Sequence, residues 1–196
     1  LVSVYVTALC IPAYVFFEAR GGAEVISILE GQTALKILFP LLGLYAFTFV
    51  TWQILITTNL WWLDKVWPGI INFHRFQGGF TLLFASLHPL FILIGYGLSK
   101  YIHYDFVSSS QKPYLIPAYI GLTILFFTVI TAFLAWHGRN LPYWRRLHKL
   151  NYAVFGLIWI HSWFIGSDVR HSILATIWFI YLALVVISTY GKYVLS

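Results

Sequence analysis

Methionine is missing from these 196 residues, and Cys10 is the single cysteine. One thiol excludes a cysteine-ligated iron–sulfur cluster and a Cys-x-x-Cys-His haem attachment, and the missing thioether excludes an axial Met ligand. Charge is scarce as well: Asp, Glu, Lys and Arg make up 9% of the chain, whereas soluble domains carry about a quarter. Six acids against 12 bases leave a formal charge of +6 and a pI near 9.5. That surplus does not point to nucleic acid, because the charges lie in short loops between apolar runs and read as topology signals.

What remains is overwhelmingly apolar. The chain is 60% hydrophobic with a mean hydropathy of +0.82, which makes membrane lipid its expected surroundings. Nine Trp, 13 Tyr and 17 Phe crowd the ends of the apolar runs, as interfacial belts do. Six runs approach the length of about 20 residues that a spanning helix needs: Val2 to Phe17, Ala34 to Thr58, Ile71 to Leu98, Tyr114 to Trp136, Trp144 to Ile165, and Ser172 to Tyr190. No repeat, low-complexity tract or linker divides them, so residues 1–196 are expected to form one domain, an all-α bundle of six transmembrane helices. The first run has neither a basic n-region nor an Ala-x-Ala site and is read as a span rather than a signal peptide. Because the sequence opens at Leu1 without an initiator, a fragment of a longer protein is one expectation.

Lys and Arg in short loops set orientation. Lys65, Arg75, Arg139, Arg145, Arg146, Lys149 and Lys192 fall on one side; Arg20, Lys36, Lys100, Lys112 and Arg170 fall on the other. The bias places the first side, and both termini, in the cytoplasm. A multi-pass protein of the plasma membrane, or of a bacterial inner membrane, is expected.

Four histidines stand out against this background. His74 and His88 are fourteen positions apart in the third run, and His148 and His161 thirteen apart in the fifth. Ionisable groups within a membrane are costly and mark functional sites. At about 1.5 Å per residue these pairs span roughly 21 and 19.5 Å, so two helices running the same way present imidazoles at the same two depths. His74 with His148 at the cytoplasmic end, and His88 with His161 toward the outer side, are each suited to the two axial positions of a haem iron. Two stacked b-type haems, held without covalent attachment, are the expected cofactors.

The third run supports this reading. His88 lies within about 40° of His74 on the helical wheel, and Gln77, Gly78, Thr81 and Ala85 share their stripe. Small side chains there can make room for a macrocycle, or simply let helices approach closely. Pro89 directly follows His88 and is expected to bend the helix just beyond it. The fifth run is harder to reconcile, because thirteen residues turn His161 about 140° away from His148 in an ideal helix. A π-bulge or other distortion near Gly156, or different ring directions, is therefore predicted.

Phe84, Phe155 and Trp159 fall between the two depths and are read as gap fillers or a relay. Arg75, Arg145 and Arg146, with Lys149 beside them, are candidates to neutralise propionates of an inner haem. His103 and His171 fall in outward loops and His137 at the inward end of the fourth run, and all three are read as solvated or interfacial. No catalytic residue is assigned.

The string from Asn72 through His74-Arg75-Phe76-Gln77-Gly78 to His88-Pro89-Leu90, with Leu141 through Arg145-Arg146-Leu147-His148 to His161-Ser162-Trp163, resembles the ferric-reductase-like transmembrane domain superfamily. That superfamily includes NADPH oxidases, ferric reductases and the membrane subunit of a bacterial methionine sulfoxide reductase system. The resemblance covers nearly the whole chain. It implies a six-helix bundle with two b haems, ligated by His74 with His148 and by His88 with His161, carrying electrons outward from a cytosolic flavin.

It also implies FAD and NAD(P)H on a dehydrogenase domain or subunit. No Gly-rich dinucleotide motif occurs before Ser196, so that component is expected on a missing segment or a separate partner. The expected function is oxidoreductase membrane domain of the NADPH oxidase or ferric reductase type, with dioxygen or ferric iron as outer acceptor. Position 92, one turn after His88, is Ile rather than a further His. The acceptor pocket is expected from the outward loops Glu18 to Thr33 and Ser99 to Lys112. Alternatives are the haem-binding membrane subunit of a methionine sulfoxide reductase system, a haem-containing assembly or sensor subunit, and a non-redox transporter whose histidines relay protons.

Overall fold

The computed structural model describes residues 2–194; Leu1, Leu195 and Ser196 lie outside the described residues. Ten α-helices follow in order: α1 (Val2–Glu18), α2 (Gly31–Thr58), α3 (Leu60–Val66), α4 (Ile70–Tyr96), α5 (Leu98–His103), α6 (Leu115–Trp136), α7 (Trp144–His148), α8 (Asn151–Ile165), α9 (Ser167–Arg170) and α10 (Leu174–Val194). Short 3-10 helices cover Gly22–Ile28 and Lys112–Tyr114, and no strand occurs among the described residues. The protein is an all-helical integral membrane protein.

Four helices are long and apolar enough to cross a bilayer: α2, α4, α6 with its 3-10 lead-in, and α10. A fifth is added if α1 and the following 3-10 helix, bent by 74°, form one broken span. Six spans were expected, and the first and fifth runs are helical but short, with 17 residues in α1 and 15 in α8. At about 1.5 Å per residue these reach roughly 25 and 22 Å, less than the ~30 Å hydrocarbon core.

Large apolar side chains face outward along the bundle, among them Trp61, Phe76, Ile116, Phe127 and Ile187. In lipid the backbone must satisfy itself, which is why the spans are helices. Hydroxyl groups obey the same constraint: Thr48, Thr51, Thr81 and Thr131 each donate to a carbonyl four residues back, at 2.7–2.9 Å. Pro12, Pro40 and Pro89 all lie inside helices, and α4 runs unbroken through Pro89.

Helix α2 is the axis of the bundle. Its Phe47 stacks on Phe155 of α8 at 5.3 Å and packs at a tilt against Trp178 of α10 at 4.7 Å. Trp178 is fully enclosed and donates its indole N–H to Ser162 of α8 at 2.8 Å. At the C-terminal end of α2, Lys192 of α10 donates to the Thr57 carbonyl at 2.8 Å, satisfying one of the orphan acceptors at the α2 terminus. On the other side, Trp52 and Phe73 flank Tyr5 of α1 edge-on.

The end of α1 is tied to the α9 turn by a bidentate ion pair, Arg20 Nη1 and Nη2 to Asp168 Oδ1 and Oδ2 at 3.2 and 2.9 Å. Both side chains are mostly shielded, at 23% and 12% exposed, and the guanidinium lies 4.0 Å over the Phe16 ring. Replacing Asp168 with Ala strands the cation and is expected to cost about 1–3 kcal/mol. A lowered thermal midpoint in detergent, with Asp105→Ala at the exposed 3.6 Å Lys112 pair as an unaffected control, checks this.

Candidate haem-binding site

Helix α4 carries His74 and His88; α7 ends on His148, and α8 carries His161. The fold brings them together two by two. His74 and His148 have ring centroids 6.1 Å apart with planes at 82°, and His88 and His161 lie 6.4 Å apart at 78°. Two imidazoles bound end-on through one metal, each at about 2.0 Å, put their ring centres about 6 Å apart. Along α4, fourteen residues separate the two levels, a rise of about 21 Å.

Proton positions follow from the partners. His88 Nδ1 lies 2.7 Å from the Phe39 carbonyl, and His161 Nδ1 lies 3.0 Å from the Tyr114 carbonyl. A carbonyl only accepts, so each Nδ1 carries the proton and each Nε2 keeps its lone pair, the usual state of a metal-binding histidine. His148 Nδ1 faces the Thr128 carbonyl at a longer 3.4 Å. His74 Nδ1 is buried without a partner, while its backbone carbonyl accepts from Gln53 Nε2 at 3.0 Å.

Among the described residues no cluster of three or more His, Cys, Asp or Glu side chains gathers around one point. Each site therefore offers two nitrogens, too few for a bare structural metal but the number a four-nitrogen macrocycle leaves to its protein. A cavity of about 400 Å3 borders His88 and His161, lined mainly by apolar side chains of α2, α4, α6 and α8. That volume is in the range of small-molecule and cofactor sites. At the level of His88 and His161 the donor set and the cavity fit haem, and at the level of His74 and His148 the donor set does.

Several expectations need correction. The irregularity in the fifth run lies at Lys149 and Leu150, between α7 and α8, whereas Gly156 sits within unbroken helix. The amides of Lys149, Leu150 and Tyr152 bond three residues back, to Arg146, Leu147 and Lys149, at 3.2, 2.9 and 3.2 Å. This is overwinding, not a π-bulge. About four residues at 120° rather than 100° add about 80°, cutting the 140° offset to about 60°.

The stripe on α4 divides between both of its readings. Ala85 lines the cavity, but Gln77 and Thr81 are 3% and 1% exposed and Gly78 faces Gln53 of α2, so that part serves close helix packing. Of the rings between the two depths, Phe155 is in the core against Phe47, Phe84 packs with Tyr45 and Phe49, and Trp159 stacks on Trp163. They do not form one file. The cavity at His88 and His161 takes Tyr101, Phe106 and Gln111 from one expected loop, but Gly166 to Val169, rather than Glu18 to Thr33, complete it.

Arg75, Arg145 and Arg146 are exposed at the end of the bundle where His74 and His148 lie. Each guanidinium rests over an aromatic ring, Trp136, Trp144 and Tyr143 respectively, at 5.5–5.6 Å. His103, His137 and His171 are exposed. Gly43 had no signal in the sequence: a Cβ built there would lie 3.0 Å from His88 Cε1 and Nδ1. The carbonyls of Phe39 and Tyr114, like Asn151 and Thr128 near His148, also escape any reading of a single run.

A family model described as the ferric reductase like transmembrane component matches residues 42–159. The haem-binding subunit MsrQ of a protein-methionine-sulfoxide reductase from Xanthomonas campestris pv. campestris (strain B100) is 29% identical over 102 residues. The matched stretch is 52% of this chain and 46% of that relative, so the chain spans about half the length of the curated relative it matches. No solved structure matches. The family match covers more than half the chain and includes His74, His88 and His148, with His161 two residues beyond it, and the chain belongs to the ferric reductase like transmembrane component family.

Proposed function

We propose that the protein carries electrons across a membrane, from a cytosolic flavin and NAD(P)H donor to an acceptor on the outer side, using two b-type haems held by histidine pairs. The observation that carries the reading is the approach of four imidazoles in two pairs, at 6.1 and 6.4 Å. When bound, the haems supply reversible one-electron chemistry. His74 with His148 would hold the inner group and His88 with His161 the outer one, each pair offering two imidazole nitrogens. Arg75, Arg145 and Arg146, exposed beside the inner pair, would be available to neutralise propionates there, and the mainly apolar lining would give the outer group a low-polarity setting.

In this reading residues 1–196 are one membrane domain of six spans, with α1 and the α7–α8 pair as the two short ones. Both termini are cytoplasmic, in the plasma membrane or a bacterial inner membrane. The donor is a dehydrogenase domain or subunit, and dioxygen or ferric iron is the acceptor. The MsrQ similarity, 29% over 102 residues, favours a second reading, in which the chain is the haem-binding subunit of a methionine sulfoxide reductase system and its acceptor is a partner protein.

Visible spectroscopy tests the shared part of both readings. Purified protein is expected to show a Soret band and, on reduction, the α-band of a low-spin b haem, with about two haems per chain by pyridine haemochrome. Absence of the Soret band returns the chain to the proton-relay alternative. Oxidation of the reduced protein by dioxygen, by a ferric chelate or only by a protein partner separates the acceptors.

A further inference from the structure

The inner and outer imidazoles are held in different ways. His88 and His161 each turn Nδ1 onto a main-chain carbonyl, at 2.7 and 3.0 Å. For His148 the Thr128 carbonyl is 3.4 Å away, and the Asn151 side-chain amide approaches the same nitrogen at 3.5 Å. Asn151 Oδ1 stands 2.7 Å from the Thr128 hydroxyl, which is itself 3.0 Å from the Leu125 carbonyl. Thr128 is 1% exposed, so no bulk water competes for this chain of contacts. Asn151 follows His148 by three residues, and helical side chains lean toward the N-terminus, which aims the amide back at the ring.

Counting donors and acceptors decides which end of the amide faces the imidazole. A threonine hydroxyl has one proton to donate. With the amide nitrogen on His148, that proton is claimed by both Asn151 Oδ1 and the Leu125 carbonyl. The ring would also have to accept at Nδ1 and carry its proton on Nε2. With the amide turned over, His148 Nδ1–H donates to Asn151 Oδ1, Asn151 Nδ2 donates to Thr128 Oγ1, and Thr128 donates to the Leu125 carbonyl. Every donor then has an acceptor, the Thr128 carbonyl at 3.4 Å sharing the Nδ1 proton with Asn151 Oδ1, and Nε2 keeps its lone pair. The two orientations have the same shape, so packing does not oppose the turn.

We propose that Asn151, anchored by Thr128, is a positioning residue whose amide oxygen takes the Nδ1 proton of His148 and fixes the tautomer that presents Nε2 to the inner haem iron. This rests on the reading of His148 as an axial ligand. It gives the inner site a side-chain partner, open to tuning by substitution, where the outer site relies on main chain.

The test is redox potentiometry, electron paramagnetic resonance and haem content on the full-length, haem-loaded chain. Asn151→Asp keeps the acceptor and strengthens it, which raises ligand basicity. It is expected to retain both haems and to lower the midpoint potential of one of them, leaving the other unmoved. Asn151→Leu removes the acceptor and is expected to weaken haem binding at that site by about 10–100-fold. Thr128→Val is expected to move the same potential by less.

If Asn151→Asp loses the inner haem as Asn151→Leu does, the amide nitrogen faces the ring and the proposal is overturned. Unchanged potentials and haem content in both variants overturn it too, while leaving the ligand assignment intact. A wild-type protein without haem, or one whose spectrum survives His148→Leu, overturns the ligand reading and this inference with it.

Discussion

Replacing His88 with Leu is expected to remove about one haem per chain and leave a protein that still folds and still shows the spectrum of the other. In the proposed reading the outer pair depends on both of its rings, since each would contribute one nitrogen and no further His, Cys, Asp or Glu gathers there among the described residues. Leu fills the same volume against Gly43 and Phe39, so the loss reports ligation rather than a cavity. His161→Leu is expected to have the same effect, and combining the two to add nothing, because both act on one iron. His74→Leu and His148→Leu are expected to form a second such set. His103→Leu, at an exposed histidine bonded to the Ser99 carbonyl, serves as the control. Haemochrome content and the amplitude of the two redox transitions check the five single variants and the double one. Equal loss of both haems in every variant would show that the pairs are not independent sites.

Gly43→Leu is the second large effect, and it arises on a helix that holds no ligand. At Gly43 the α2 backbone lies directly against the His88 imidazole, and even a Cβ would approach Cε1 and Nδ1 to 3.0 Å. The ring cannot yield without leaving the Phe39 carbonyl, which is on α2 as well and only 2.7 Å from Nδ1. A Leu is therefore expected to break the bond that sets the tautomer and to swing Nε2 out of line. Losing such a partner costs about 10–100-fold in affinity. The outer haem should be depleted while the inner one is retained. Gly156→Ala, where a Cβ meets nothing within 4 Å, is expected to leave both haems in place. Retention of both haems in Gly43→Leu would mean that the α2 backbone plays no part in holding the ring.

The run boundaries and the histidine spacings were legible because they obey one-dimensional rules. Apolar length sets a span, and a fourteen-residue interval brings His74 and His88 to nearly the same side of one helix. The overwound turn at Lys149 and Leu150 was half legible: thirteen residues demanded an irregularity, but only the hydrogen bonds showed where it lies and in which sense it winds. Gln77, Gly78 and Thr81 were ambiguous for a related reason, since a stripe of small and polar residues looks the same whether it lies against a cofactor or, as Gly78 does with Gln53, against the next helix.

Sequence alone thus determined the membrane setting, the helical class and the four histidines at two depths, all consequences of hydrophobicity and of residues per turn. Only the tertiary structure decided how each imidazole is held. Phe39 and Gly43 come to His88 from α2, Tyr114 to His161 from ahead of α6, and Thr128 to His148 from within α6. These partners lie 49, 47 and 20 residues away for the three bonded histidines. Main-chain carbonyls also have no side-chain identity to read. Their placement is set by helix packing, which no periodicity along a single run encodes.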